Sequence, residues 1–279
     1  MIRDVFGPRV PPVGGVEEKK KRTYVRKNSH SRSHAPKRYR GQTGAVCGRI
    51  ALYSPPARFA RFLDAVLAAG LDPEGPPRWN VAPQQPLFAV KQREGVRQLD
   101  SCRWGLVPSW AKDPTTAARL FNARGETIAE KPSFRSAFAK RPCVIPVDGF
   151  YEWEHRPGRA RQAYYFHRRD DAPLLLAGLY EHWSERDVDN APVLTTCTVV
   201  TTSPNEDLAE IHDRMPVVLE PKAVATWLNV TDHGPDERLA LLTPARPGTL
   251  SHFAVSAAVG SVKNDGPQLI APDEPTSLF

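Results

Sequence analysis

No stretch of the 279-residue chain approaches the ~18 consecutive apolar residues that a membrane-spanning helix requires, and its first residues lack the apolar core of a secretory signal. A membrane protein of the helical kind is therefore not expected, and a cytoplasmic one is. Cysteine is scarce. The four residues Cys47, Cys102, Cys143 and Cys197 lie far apart, with no C-x-x-C and no Cys/His spacing of the zinc-site kind. A disulfide framework does not suit a chain of this size without a secretion signal. No metal and no other cofactor is expected, and at least three of the four cysteines read as small core residues within apolar strands. Internal repeats and internal linkers are also lacking. What is present, 41% hydrophobic residues, suffices for a sizeable buried core.

The net charge of +7 invites a nucleic-acid reading, but its distribution matters more than its total. Residues 1–45 hold twelve Lys/Arg against Asp4, Glu17 and Glu18, a net of +9, so the other 234 residues sum to 7 − 9 = −2. The basic piece, with its run Lys19-Lys20-Lys21-Arg22, has hardly any periodic apolar positions and is expected to be disordered or not translated at all. DNA affinity of the remainder must then come from a local patch.

From Val46 onward the pattern changes. Pro55 and Pro56 open a segment in which Phe59, Phe62, Leu63, Val66 and Leu67 recur at helical spacing before Gly70, which predicts an amphipathic helix. Strands are predicted over Leu87–Lys91, Cys143–Val147, Ala163–His167, Leu174–Leu179, Val193–Thr201 and Phe253–Ser256, and helical stretches near Asn205–Glu210, Ala223–Leu228 and Pro235–Leu242. Strands outnumber helices without a βαβ alternation. The expected class is α+β, a single domain over 46–279 with a largely antiparallel, barrel-like sheet core and flanking helices.

Six segments look unlike ordinary core. They are Val46-Cys47-Gly48-Arg49, Arg78-Trp79-Asn80-Val81-Ala82-Pro83, Trp104-Gly105-Leu106-Val107-Pro108-Ser109-Trp110, Phe121-Asn122-Ala123-Arg124-Gly125-Glu126-Thr127, Gly149-Phe150-Tyr151-Glu152-Trp153 and His212-Asp213-Arg214-Met215-Pro216. Each mixes polar or charged groups with aromatics and turn residues, as functional loops often do. In this order, and with Val255-Ser256 and Asn264-Asp265 near the end, they resemble the SOS-response-associated peptidase (SRAP) family from Cys47 to about Asp265.

The resemblance implies a concave, positively lined face for single-stranded DNA containing abasic sites. It also implies a catalytic cysteine directly after the initiator methionine. Here Cys47 is preceded by 46 residues. A GTG codon reads as valine but initiates as methionine, so Val46 is expected to be the true start and 1–45 a gene-calling artefact; cleavage between Val46 and Cys47 would leave the same terminus. A monomer is expected, with replication-fork proteins as candidate further partners and a location at the DNA of the cytoplasm.

A terminal cysteine suits the chemistry. The ring-opened abasic sugar exposes an aldehyde, which an amine attacks to give a Schiff base. An α-amine is roughly a quarter to a third neutral near pH 7.4, a lysine only about 0.1%. The thiol can then close on the same carbon as a five-membered thiazolidine. By resemblance Asn122 orients the terminus or sugar, Glu152 shuttles protons, and His212 assists ring opening and Schiff-base formation. Arg49, Arg124 and Arg214 hold phosphates. Of the aromatics Trp104, Trp110, Phe150, Tyr151 and Trp153, half or more are expected in the core, with Trp104 and Trp153 stacking on bases. Asn80 and Pro83 shape the DNA channel. Taken alone, each residue also has an ordinary structural reading. Two other functions compete: a thiol peptidase of Cys47 with His212 and Glu152 or Asn122, including self-cleavage, and a non-covalent binding module using the basic tail.

Overall fold

A sheet that closes on itself organises the chain. The computed structural model describes residues 47–154, 158, 160–186 and 188–273; Val46 and the basic extension, on which the expectations about the start rest, lie outside them. The described residues belong to one compact unit, Gly44–Phe279. In chain order the elements are β1 (Arg49–Leu52), α1 (Pro56–Phe62), β2 (Val66–Leu67), β3 (Arg78–Val81), β4 (Pro86–Arg93), β5 (Val96–Trp104), β6 (Asn122–Arg124), α2 (Arg135–Lys140), β7 (Pro142–Val147), β8 (Gly149–Glu154), β9 (Gln162–Arg168), β10 (Leu174–Trp183), β11 (Leu194–Thr202), β12 (Met215–Pro216), α3 (Val224–Leu228), α4 (Pro235–Leu239) and β13 (Leu250–Val255). Among the described residues no helix is long and apolar enough to cross a membrane.

One sheet runs β12-β11-β10-β7-β4-β5-β2, and a parallel pairing of β11 with β5 closes its middle into a five-stranded barrel. The second runs β13-β9-β8-β1-β3, antiparallel throughout. This is the expected α+β, largely antiparallel and barrel-like architecture. One continuous apolar core joins the two sheets, bringing Ile50, Phe150 and Phe166 of the second against Leu87, Val144, Leu176 and Val199 of the first. Cys102, Cys143 and Cys197 are buried free thiols on β5, β7 and β11.

Local sequence explains several elements. Leu174–Leu179 reads as an unbroken apolar run because β10 is buried on both faces. Glu94 and Gly95, both at positive φ, make the two-residue turn between β4 and β5; Glu94 stands where Asn or Asp usually signals such a hairpin, and β5 was not legible. Gly149 opens β8 because a Cβ there would lie 2.4 Å from the Tyr165 ring.

The structure corrects three expectations. The helix ends at Phe62, not near Gly70, because Val66 and Leu67 pair in parallel with Gln98 and Leu99 of β5. Asn205–Glu210 forms turns, with Asn205 Nδ2 donating to the carbonyls of Ala245 and Arg246. Three segments read as loops are β3, β6 and β8, so their polar residues ride on paired backbone.

Candidate functional site

The site lies at the start of β1, where the antiparallel pairing Arg49↔Tyr151 and Ile50↔Phe150 carries Cys47 past the end of the strand beside Glu152. Cys47 N donates to Glu152 Oε1 at 2.5 Å. Both residues are buried, Cys47 fully. Burial, opposed by the backbone N–H groups of Cys47 and Trp153 and reinforced by the charge of Asp213, pushes the Glu152 carboxyl up to about 8. The Cys47 thiol is raised too, by burial first and then by Glu152. Cys47 sits at φ 46°, the left-handed region that side-chain-bearing residues rarely occupy.

A second group of residues converges on the end of β11. β6 pairs in parallel there, Val199↔Asn122 to Thr201↔Arg124, and β12 pairs antiparallel through Thr201↔Pro216. Asn122, half-buried, and the 212–214 segment thus flank the same strand. His212 is largely buried, and Arg214 N donates to its Nδ1 at 3.1 Å. Desolvation lowers the imidazole pKa, Asp213 and the backbone contact of Arg214 oppose it, and the charges of Arg161 and Arg214 add to the lowering.

The remaining expected residues fall into three kinds. Trp104 is a correction: it is wholly buried, its Nε1 donates to Phe121 O at 2.9 Å and its ring meets Phe121 edge-on, so it is barrel core and offers no face to a base. Phe150 and Tyr151 are core as well, Trp153 is half-buried, and Trp110 is exposed. Asn80 is buried and its Nδ2 donates to the carbonyls of Val259, Ser261 and Asn264, so its amide is committed to clamping the 257–265 loop. Pro83, beside it, is partly exposed.

The three arginines differ in charge balance. Arg49 donates to Asn80 Oδ1, Val259 O and Gly260 O, neutral acceptors that leave its charge uncancelled; among the described residues no carboxylate pairs with it. Arg124 is exposed. Arg214 is not open to a phosphate as expected, because its guanidinium forks onto Glu126 at 2.5 and 2.9 Å and reaches Thr201 O at 2.7 Å. Glu126, Thr201, Asp213 and Arg161 were not singled out from sequence. Glu126 and Asp213 carried a signal, Glu126 lying two residues from Arg124 and Asp213 between His212 and Arg214 within the quoted motifs.

Among the described residues no group of three or more His, Cys, Asp or Glu is arranged to hold a metal. A buried carboxyl and a shielded imidazole can exchange protons, and an uncancelled arginine can attract an anion. Glu152 also has a cost. Its folded-state pKa lies above its unfolded one, so the contribution is fully present below about pH 4.3 and is lost as pH rises through about 8. Glu152→Gln should melt about 5 °C or more above the parent at pH 9 and equal it below about pH 4, measured by calorimetry; equal melting at both pH values would show that the carboxyl is not destabilised.

A model of the family described as SOS response associated peptidase (SRAP) matches residues 46–262. The abasic site processing protein YoqW of Bacillus subtilis (strain 168) is 37% identical over 230 residues, covering 81% of this chain and 99% of the relative. The abasic site processing protein YedK of Escherichia coli (strain K12) is 30% identical over 230 residues, covering 81% and 100%. The abasic site processing protein HMCES of Gallus gallus is 32% identical over 229 residues, covering 71% of this chain and 67% of its own. A solved structure from Bacteroides thetaiotaomicron superposes with a TM-score of 0.73 over 81% of this chain and 99% of that one, at 23% identity, a likeness that speaks for the fold.

Proposed function

We propose, from the premise that this chain belongs to the SOS response associated peptidase (SRAP) family, that it processes abasic sites in DNA damage by capturing them covalently through Cys47 once Cys47 is the first residue. The observation that carries this reading is the 2.5 Å contact between Cys47 N and the buried Glu152 carboxyl. An amide is a weak partner for a buried carboxylate, and the raised Glu152 pKa reflects that shortfall. A free α-amine would give the carboxyl a partner that can itself carry charge, and the two would titrate as one coupled pair within which a proton passes at little cost. Strain argues the same way. Positive φ is disfavoured by contact with the carbonyl of the preceding residue, worth roughly 1–2 kcal/mol, and a terminus without that carbonyl has no such contact.

In this reading Glu152 takes a proton from the amine, and the neutral amine attacks the sugar aldehyde. The carbinolamine loses water, with Glu152 returning the proton to the departing oxygen, and gives a Schiff base. The thiol adds across the C=N bond, its proton going to nitrogen, and closes the thiazolidine. Opening of the sugar ring needs a donor at the ring oxygen, which His212 supplies, while Asn122 orients the sugar. Arg49 and Arg124 attract phosphates, Trp153 offers a face to a base, and Asn80 and Pro83 shape the channel wall. A Schiff base left unclosed is the species that leads to β-elimination and lyase activity. The 46–279 portion is the SRAP domain and 1–45 a dispensable extension, removed by initiation at Val46 or by cleavage. The protein acts as a monomer at DNA of the cytoplasm, within reach of replication-fork proteins.

The peptidase alternative is the weaker one, since burial and Glu152 both hold the Cys47 sulfur in its protonated form. The test is direct. Protein beginning at Cys47, mixed with single-stranded DNA bearing one abasic site, should form an adduct that survives denaturation without any reductant. Absence of that adduct, with DNA intact and protein folded, refutes covalent capture.

A further inference from the structure

Arg214 spans three segments. Its Nη1 and Nη2 donate to the two carboxylate oxygens of Glu126 at 2.5 and 2.9 Å, and Nη2 also reaches Thr201 O at 2.7 Å and Thr201 Oγ1 at 3.1 Å. Thr201 Oγ1 in turn donates to Ala123 O at 3.4 Å. The end of β11, the strand carrying Asn122 and the 212–216 segment are thereby tied together. The backbone N–H of the same arginine donates to His212 Nδ1 at 3.1 Å, while Asp213 Oδ1 stands 3.2 Å from that nitrogen. One ring nitrogen thus faces two partners of opposite demand. An unprotonated Nδ1 accepts from Arg214 N–H and places the proton on Nε2; a protonated Nδ1 instead donates to Asp213.

We infer that Glu126 is a positioning residue for His212: by holding the Arg214 guanidinium it fixes the Arg214 backbone N–H against Nδ1, and so sets the neutral tautomer that carries its proton on Nε2. Burial works in the same direction, since it lowers the imidazole pKa. Glu126, kept ionised chiefly by its hydrogen bonds to Arg214, is half exposed and need not be buried to act. The charged groups that bear on His212 are Asp213, Arg214 and Arg161. With Nδ1 taken by a backbone donor and Nε2 already protonated, His212 cannot begin as a base. It begins as a hydrogen-bond donor, and the base at the amine is Glu152. This division of labour rests on the proposed capture reaction; the tautomer does not.

The tautomer can be read on the full chain, 15N-labelled at histidine, by long-range proton–nitrogen correlation, with the His212 signals assigned by their loss in His212→Asn. The parent should show Nε2 protonated and Nδ1 not. Glu126→Gln should move the signals toward the Nδ1-protonated or mixed form and raise the His212 pKa, because Asp213 gains the contact that Arg214 gives up. Glu126→Asp should retain the parent pattern. In protein beginning at Cys47, Glu126→Gln should slow capture at saturating abasic DNA by about tenfold and leave the half-saturating DNA concentration within about twofold, with Glu126→Asp restoring the rate. An unchanged tautomer in Glu126→Gln overturns the inference. So does a change confined to half-saturation, which would mean that Glu126 merely screens Arg214 from phosphate. A parent that captures nothing would refute covalent capture alone, since the tautomer is measured without DNA.

Discussion

In protein that begins at residue 47, Cys47→Ala should form no denaturation-resistant adduct with abasic single-stranded DNA, yet should still be trapped by borohydride. The substitution retains the α-amine and removes only the sulfur, so the reaction halts at the hydrolysable Schiff base, and nicking by β-elimination should appear in its place. An acetyl group on Cys47 does the reverse. It retains the sulfur and turns the amine into an amide, which cannot form an imine, so both the stable and the trappable adduct should be lost. A reaction using the thiol alone predicts another pattern, with Cys47→Ala inert to borohydride and the acetylated protein still active. Denaturing gels of the two variants, with and without borohydride, decide between them. A stable adduct from the acetylated protein sinks the thiazolidine assignment.

Glu152→Gln should slow capture by about 10²–10⁴-fold, the usual span for loss of a general acid or base. The substitution retains size and a hydrogen-bond acceptor at the 2.5 Å contact while removing the titration. The pH profile separates this from a packing effect. In protein that begins at Cys47, the carboxyl and the α-amine titrate as one coupled pair, and the productive form holds a single proton between the two. The rate should rise with pH to a maximum and fall beyond it, where no acid is left to expel water. Without the carboxylate the amine loses a neighbour that favours its protonated form, so in Glu152→Gln the rising limb should move to lower pH and the falling limb should disappear. Single-turnover rates from about pH 6 to 9 test both features. A variant within about threefold of the parent at every pH would remove Glu152 from the proton path.

The sequence by itself determined the class, the strands with continuous apolar character and the ordered motifs that carry the family. Leu174–Leu179 and Cys143–Val147 were legible because a strand buried on both faces needs no partner's identity to be apolar. The charge step at residue 46 was legible because it is a count. Where packing sets the outcome, local pattern failed. Val66 and Leu67 continue a helical period, yet they pair with Gln98 and Leu99 of β5, a strand about thirty residues further on that no local window contains. Trp104 sits in a motif that resembles a binding loop, but its side chain enters the barrel, and only the closure of β11 on β5 says so. Arg214 reads as a phosphate ligand until Glu126, 88 residues away, is brought onto its fork. The same holds for Glu152, because its pKa depends on exclusion of water from where the two sheets meet and on the nitrogen it faces 105 residues away. Residue types set which chemistry was available; distance across the chain, desolvation and the choice of partner were decided by the tertiary structure, because charge and hydrogen-bond energies depend on separation in space and on local dielectric, neither of which a linear order contains.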